Sequence, residues 1–207
     1  DFMEKEAELY DSCCRLANQY LSQANLTSRV VGPGLQIDQN GQNLKMFCQQ
    51  NTQIDQLTVT LSPLVFNRKD GDVYMERQTS PDSFLADLRK IQKIAGENGI
   101  EEVFPVSWID SLYDKDVLND TCFRAARIAQ VYLKAYGITP ALPVSAPFDL
   151  SSTSSGIFSK DAGLLSPKDI RKPSFNVYSF LKHLDEDLNY HDEHMIIPSS
   201  KQQYVQI

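Results

Sequence analysis

The segment Leu57-Thr58-Val59-Thr60-Leu61 alternates aliphatic side chains with threonine at a period of two. A stretch of that kind forms a β-strand with one apolar face. It is stable only if neighbouring strands take up its backbone groups and another layer covers the face. The chain supplies such layers as helices. From about Glu4 to Ala24, Leu9, Cys13, Leu16, Tyr20 and Ala24 recur at helical spacing, widened by Tyr10, Ala17 and Leu21. A second helix starts at Ser80-Pro81-Asp82, which offers a capping hydroxyl, a proline at the first helical position and an acid near the positive helix end. Phe84, Leu85, Leu88, Ile91, Ile94 and Ala95 form its apolar face, and Asn98-Gly99 stops it.

The remaining pattern predicts more strands. Val30-Val31 precedes a Gly32-Pro33-Gly34 break, and Gly41 separates Leu35–Ile37 from the alternating Leu44, Met46 and Cys48, so two strands and a turn are expected there. Residues 57 to 77 read as a hairpin bent at Pro63, with Asp70-Gly71 favouring the turn. Ile100 to Trp108 carries Pro105 and reads as a short edge strand or an extended segment. A third helix runs from about Asp120 to Tyr136, stopped by Gly137. The expected fold class is α+β: a small antiparallel sheet flanked by amphipathic helices. The expected division is a core domain over 1–138, a Pro/Ser-rich connector over 139–173, and a C-terminal helix with a polar acidic tail over 174–207.

Composition limits the function classes. A net charge of −7 is the opposite of what phosphate neutralisation requires, so no nucleic-acid partner is expected. Apolar runs such as Leu64-Val65-Phe66 and Met195-Ile196-Ile197 are far short of a membrane span, so no membrane insertion is expected and the chain reads as cytoplasmic. Cys13, Cys14, Cys48 and Cys122 form no CxxC pair or zinc-ligand set, and no nucleotide-binding loop occurs. No cofactor or metal is expected. His183, His191 and His194 lie among acidic residues, which is the pattern of a solvated acidic surface.

Two chemistries remain. Cys122 falls in the first turn of the third helix, where the helix end favours a thiolate. The surrounding Asn119-Asp120-Thr121-Cys122-Phe123-Arg124-Ala125-Ala126 resembles the nucleophile neighbourhood of protein glutaminases and related papain-like cysteine hydrolases. That resemblance implies an amide hydrolase with Cys122 as nucleophile and a histidine such as His183 as base. The other chemistry is binding. Phe175, Tyr178, Leu181, Leu184 and Leu188 form an apolar stripe on a last helix that could dock on a protein partner.

Residues 4 to 98 carry the Leu9-Cys13-Leu16-Tyr20 stripe, the Leu57-Val59-Leu61 strand with its Asp70-Gly71 turn, and the Ser80-Pro81 helix. In element order and acidity this resembles the small acidic chaperones and adaptors of bacterial secretion systems. The resemblance implies a non-enzymatic interaction module, linked to secretion or virulence, that binds helical or unfolded client segments. It transfers no functional residue. The expected function is therefore protein binding, with the cysteine hydrolase, or a translocated effector using Cys122, as the alternative.

Overall fold

The computed structural model of the chain describes residues 2–37, 41–50, 54–62, 64–69, 71–77, 80–108, 115–139, 147–149, 156–183, 188–192, 194–198 and 205–206. In chain order its elements are α1 (Phe2–Gln23), β1 (Val31–Gln36), α2 (Gln42–Gln50), β2 (Gln56–Leu61), β3 (Leu64–Lys69), β4 (Asp72–Arg77) and α3 (Pro81–Glu97). There follow β5 (Glu102–Trp108), a 3-10 turn (Val117–Asp120), α4 (Cys122–Ala135), α5 (Pro173–Leu181), β6 (Leu188–His191), β7 (Met195–Pro198) and β8 (Val205–Gln206). They form two compact units: Asp1–Ser62 with Ala86–Ile109 and Thr139–Pro143, and Pro63–Leu85 with Asp110–Ile138 and Val144–Ile207.

The first unit is built on a three-stranded sheet of order β1-β2-β5, and both pairings are parallel. This corrects the expected antiparallel sheet, and one segment accounts for the difference. Leu44, Met46 and Cys48 alternate on paper, but Leu44, Phe47 and Cys48 are the buried positions, at the i, i+3, i+4 spacing of α2. A helix between two adjacent strands is a crossover, and a crossover makes them parallel. The same holds for β2 and β5, which α3 precedes. Strand order follows chain order, as in the winding of a β/α barrel rather than a doubly wound sheet.

The strand expected at Leu57 to Leu61 is present, with Leu57, Val59 and Leu61 buried and Thr58 and Thr60 half-buried. Those threonines have a second task. Gly32-Pro33-Gly34, read as a break, lies inside β1, and the β1–β2 register slips between Pro33 and Leu35. The Gly34 N–H donates to Thr58 Oγ1 at 2.7 Å, and Thr60 Oγ1 donates to the Gly34 carbonyl at 3.2 Å. The polar face of β2 thus takes up the backbone groups that the bulge frees. At the other end of β1, Tyr10 of α1 donates to the Val31 carbonyl at 3.0 Å and meets Phe47 of α2 at a tilt of 53°, with ring centroids 5.5 Å apart.

Helix α1 presents two apolar faces. Ala7 and Cys14 are buried, whereas Leu9, Leu16 and Tyr20 of the stripe read from the sequence are 67%, 55% and 69% exposed. A groove of about 670 Å3 is lined by Tyr20 with Ala17, Leu21, Leu26 and Val31 among others.

Burial in this unit has a consequence at alkaline pH. It pushes the Cys48 thiol up to about 11 and the Tyr10 phenol up to about 12. Both folded-state values lie above the ordinary ones, so the neutral side chains favour folding fully below about pH 9, and that contribution disappears as pH rises through 11 and 12. Denaturant melts should give one stability from pH 7 to 9 and a falling one above it. At pH 8 iodoacetamide should alkylate the exposed Cys13 and Cys122 of the native chain and spare Cys48.

The second unit contains the β3–β4 hairpin, which turns at Gly71 (φ 90°) as the Asp-Gly step predicts. It also contains the helix pair α4 and α5. Helix α5 ends at Leu181; Leu188, expected on that helix, opens β6, and β6 pairs antiparallel with β7. The polar centre of the unit is Lys172, whose side chain is fully buried. Its ammonium lies 2.7 Å from each carboxylate oxygen of Asp149, 2.6 Å from Asp120 Oδ1 and 2.8 Å from the Asp161 carbonyl. The carboxylates are themselves held: the Lys160 N–H donates to Asp120 Oδ2 at 2.9 Å, and the Ser159 hydroxyl donates to Asp149 Oδ2. Short pairings lock the same stretch, Asp149 N–H to the Leu165 carbonyl and Leu165 N–H to the Pro147 carbonyl, each at 3.0 Å.

Candidate functional site

In open parallel sheets, ligands bind beyond the carboxyl ends of the strands, because side chains and loops from successive βα units converge there. In the first unit those ends are Gln36 on β1, Leu61 and Ser62 at the end of β2, and Ser107 and Trp108 on β5. Register places them side by side: Gln36 is opposite Thr60, Thr60 opposite Ser107, and Leu61 opposite Trp108. Gln36 is exposed, and Ser62, Ser107 and Trp108 are half-buried. The Gln36 carbonyl accepts from Asn43 Nδ2 at 2.5 Å, which ties the strand end to the first turn of α2. The register slip beside Pro105, between Val59 and Thr60, sets the last residues of β5.

The rim therefore offers an amide, two hydroxyls and an indole. Hydroxyl and amide groups both donate and accept, and an indole gives a flat apolar surface, its N–H here being buried. This set suits a ligand rich in hydroxyls with an apolar ring face. Among the described residues of these strand ends there is no aspartate or glutamate.

The residues singled out from the sequence lie elsewhere. Cys122 is exposed and begins α4. His183 is exposed beyond the end of α5, its N–H on the Phe180 carbonyl at 3.0 Å. Phe175 lies under the Arg171 guanidinium at 4.8 Å, and Tyr178 meets Tyr132 of α4 edge-on at 5.6 Å. Leu181 is half-buried at the end of α5, and Leu184 lies outside the described residues. His194 is in the β6–β7 turn, where the Asp192 carboxylate accepts its N–H and that of Met195, both at 2.7 Å, so no helix carries the histidines there. The Tyr190 hydroxyl donates to the same carboxylate and holds it below the usual range. Asn119 is buried with its amide on the Lys160 carbonyl.

The rim was not legible as a site, because an antiparallel reading gives strand ends no common side. The one available signal was Trp108, the only tryptophan of the chain, closing an apolar run.

Comparison with known proteins points to one family. The profile of glycosyl hydrolases family 39 matches residues 1–205. Among solved structures the chain is similar to a monomeric β-xylosidase from Caulobacter crescentus CB15, with a TM-score of 0.73 and 22% identity over 92% of this chain. It is also similar to the GH39 enzyme from Xanthomonas axonopodis pv. citri, with a TM-score of 0.74 and 22% identity over 94% of this chain. The chain spans 40% of the length of each. No curated protein matches it.

These matches overturn the resemblance to secretion-system chaperones and adaptors, and with it the reading of a non-enzymatic, virulence-linked interaction module. They equally replace the alternative of a cysteine-dependent amide hydrolase. The resemblance failed for a physical reason: it rested on helix, antiparallel strands, helix, and the strands of the first unit are parallel.

Proposed function

Because the chain belongs to glycosyl hydrolases family 39 over nearly its whole length, we propose that it acts on glycosides of the β-xyloside class at the carboxyl ends of β1, β2 and β5. The family match carries the reading; one of the solved neighbours being a β-xylosidase supports the substrate class. The rim fits the binding half of that task. A pyranoside has an apolar ring face that stacks on an aromatic side chain, here Trp108. Its hydroxyls pair with groups that donate and accept, here the Gln36 amide and the Ser62 and Ser107 hydroxyls.

Hydrolysis asks for more. Most glycosidases use two carboxyl groups, about 5–5.5 Å apart for retention and about 6.5–9.5 Å apart for inversion. One protonates the departing oxygen while the other attacks the sugar or activates water. Among the described residues of the strand ends no such pair is present; Asp38 and Asp110 follow the ends of β1 and β5 in the sequence, outside the described residues.

One titration tests this reading, because Trp108 is the only tryptophan and its fluorescence reports the rim directly. Xylo-oligosaccharides added to the full chain should change the emission saturably, and Trp108→Ala should weaken binding measured by calorimetry at least tenfold. Release of nitrophenol from an aryl β-xyloside by the same preparation supports hydrolysis; saturable binding without release supports the sugar site and overturns hydrolysis by this chain. Unchanged emission and no calorimetric heat with any pyranoside, together with no release, would overturn the proposal.

A further inference from the structure

Lys172 lies in the second unit, apart from the sheet rim in sequence, and its surroundings are those of a bound cation. Four oxygens converge on its nitrogen at 2.6 to 2.8 Å: both of Asp149, one of Asp120 and the Asp161 carbonyl. They come from three separate stretches, the 3-10 turn before α4, the segment at 147–149 and the segment at 156–172. Neither carboxylate is a loose surface group. The Asp149 side chain is fully buried and that of Asp120 is 11% exposed, and each is oriented by a second donor, Ser159 Oγ on Asp149 and the Lys160 N–H on Asp120.

We infer that this cage is a cation site which the chain fills with its own ammonium, and that it accepts a calcium ion at the same position once that side chain is removed. Charge argues for a divalent ion. One ammonium faces two carboxylates, so removing it leaves two uncompensated buried negative charges, which a doubly charged ion neutralises. Ligand type argues for calcium. All four contacts are oxygens, with no thiol or imidazole, and one carboxylate is bidentate. Calcium takes six to eight oxygens in adaptable geometry, whereas magnesium demands a near-ideal octahedron. In Lys172→Ala the space left by the methylenes has room for the waters that complete the shell. In the native chain the order of this region is then independent of free calcium.

The test uses the full-length chain and calcium chloride as the only added ion, with EDTA as the reference. Native protein should show the same Tm in both and bind no calcium in this cage by calorimetry. Lys172→Ala should melt about 10 °C or more lower in EDTA, the usual scale for an orphaned buried charge in a domain of this size. Calcium should restore at least half of that loss and titrate with one ion per chain. Lys172→Ala/Asp149→Asn should bind none, and Lys172→Met, whose stem still fills the space, should melt alike with and without calcium. If Lys172→Ala is unfolded in EDTA, refolding on calcium supports the inference, and staying unfolded in both overturns it. It is equally overturned by a folded Lys172→Ala that takes up no calcium, or by an equal calcium gain in the double variant.

Discussion

Gly163→Ala should lose roughly 3 kcal/mol or more of stability, a drop in Tm of about 10 °C, although it adds a single methyl group. A Cβ at Gly163 would stand 2.3 Å from the Phe148 carbonyl carbon, 2.4 Å from the Asp149 nitrogen and 2.6 Å from the Phe148 oxygen. All three are backbone atoms, so no rotamer change relieves the contact and the chain itself must move. That movement breaks the 3.0 Å hydrogen bonds pairing residues 147–149 with Leu165. It also draws the Asp149 carboxylate away from Lys172, leaving a buried ammonium short of its partner. Gly96→Ala is the matched control. It lies in α3 with nothing within 4 Å of the added carbon, and alanine should gain about 0.5–1 kcal/mol there. Denaturant melts of the two variants should move in opposite directions; a Gly163→Ala midpoint equal to wild type would refute the close-approach argument.

Leu57→Ala should cost about 2–5 kcal/mol, whereas Leu16→Ala should stay within about 0.5 kcal/mol of wild type. Both residues belong to apolar stripes that the sequence presents with equal strength. Leu57 is on the middle strand of the parallel sheet, with β1 on one side and β5 on the other, and is fully buried. Removing its branched end leaves a cavity that a strand held on both sides cannot collapse. Leu16 is 55% exposed, so its truncation removes little buried surface. Urea melts read through the Trp108 fluorescence follow the first unit directly. Equal losses in the two variants would mean that the α1 stripe is covered in solution.

These contrasts show what local pattern reveals and what it hides. The helices at 2–23, 81–97 and 122–135 were legible from periodicity, and in α3 caps and stops agree with it: Ser80-Pro81-Asp82 opens α3, and Gly99 at φ 85° closes it. The buried face of β2 was legible for the same reason. Strand direction was not, because it is decided by what joins the strands, and the short segment 42–50 fits either period until Phe47 is counted as a core residue. That single ambiguity reversed the sheet, and with it the place where a ligand would be sought. The Lys172 cage left no mark at all: Asp120, Asp149 and Lys172 are far apart in the chain and look individually like surface charges. The exposed stripe of α1 shows the limit from the other side, since periodicity finds an apolar face without saying whether anything lies on it.

The second apolar face of α1 bears on how the chain behaves in bulk. Leu9, Leu16 and Tyr20 present their hydrocarbon to water from a helix that is already anchored through Ala7, Tyr10 and Cys14. Their identity therefore weighs little on whether the unit folds and heavily on how its molecules meet one another as they become crowded. With a net charge of −7, long-range repulsion keeps copies apart in dilute buffer, and added salt screens it while strengthening the attraction between apolar patches. Salting-out, rather than melting, is where this helix makes itself felt.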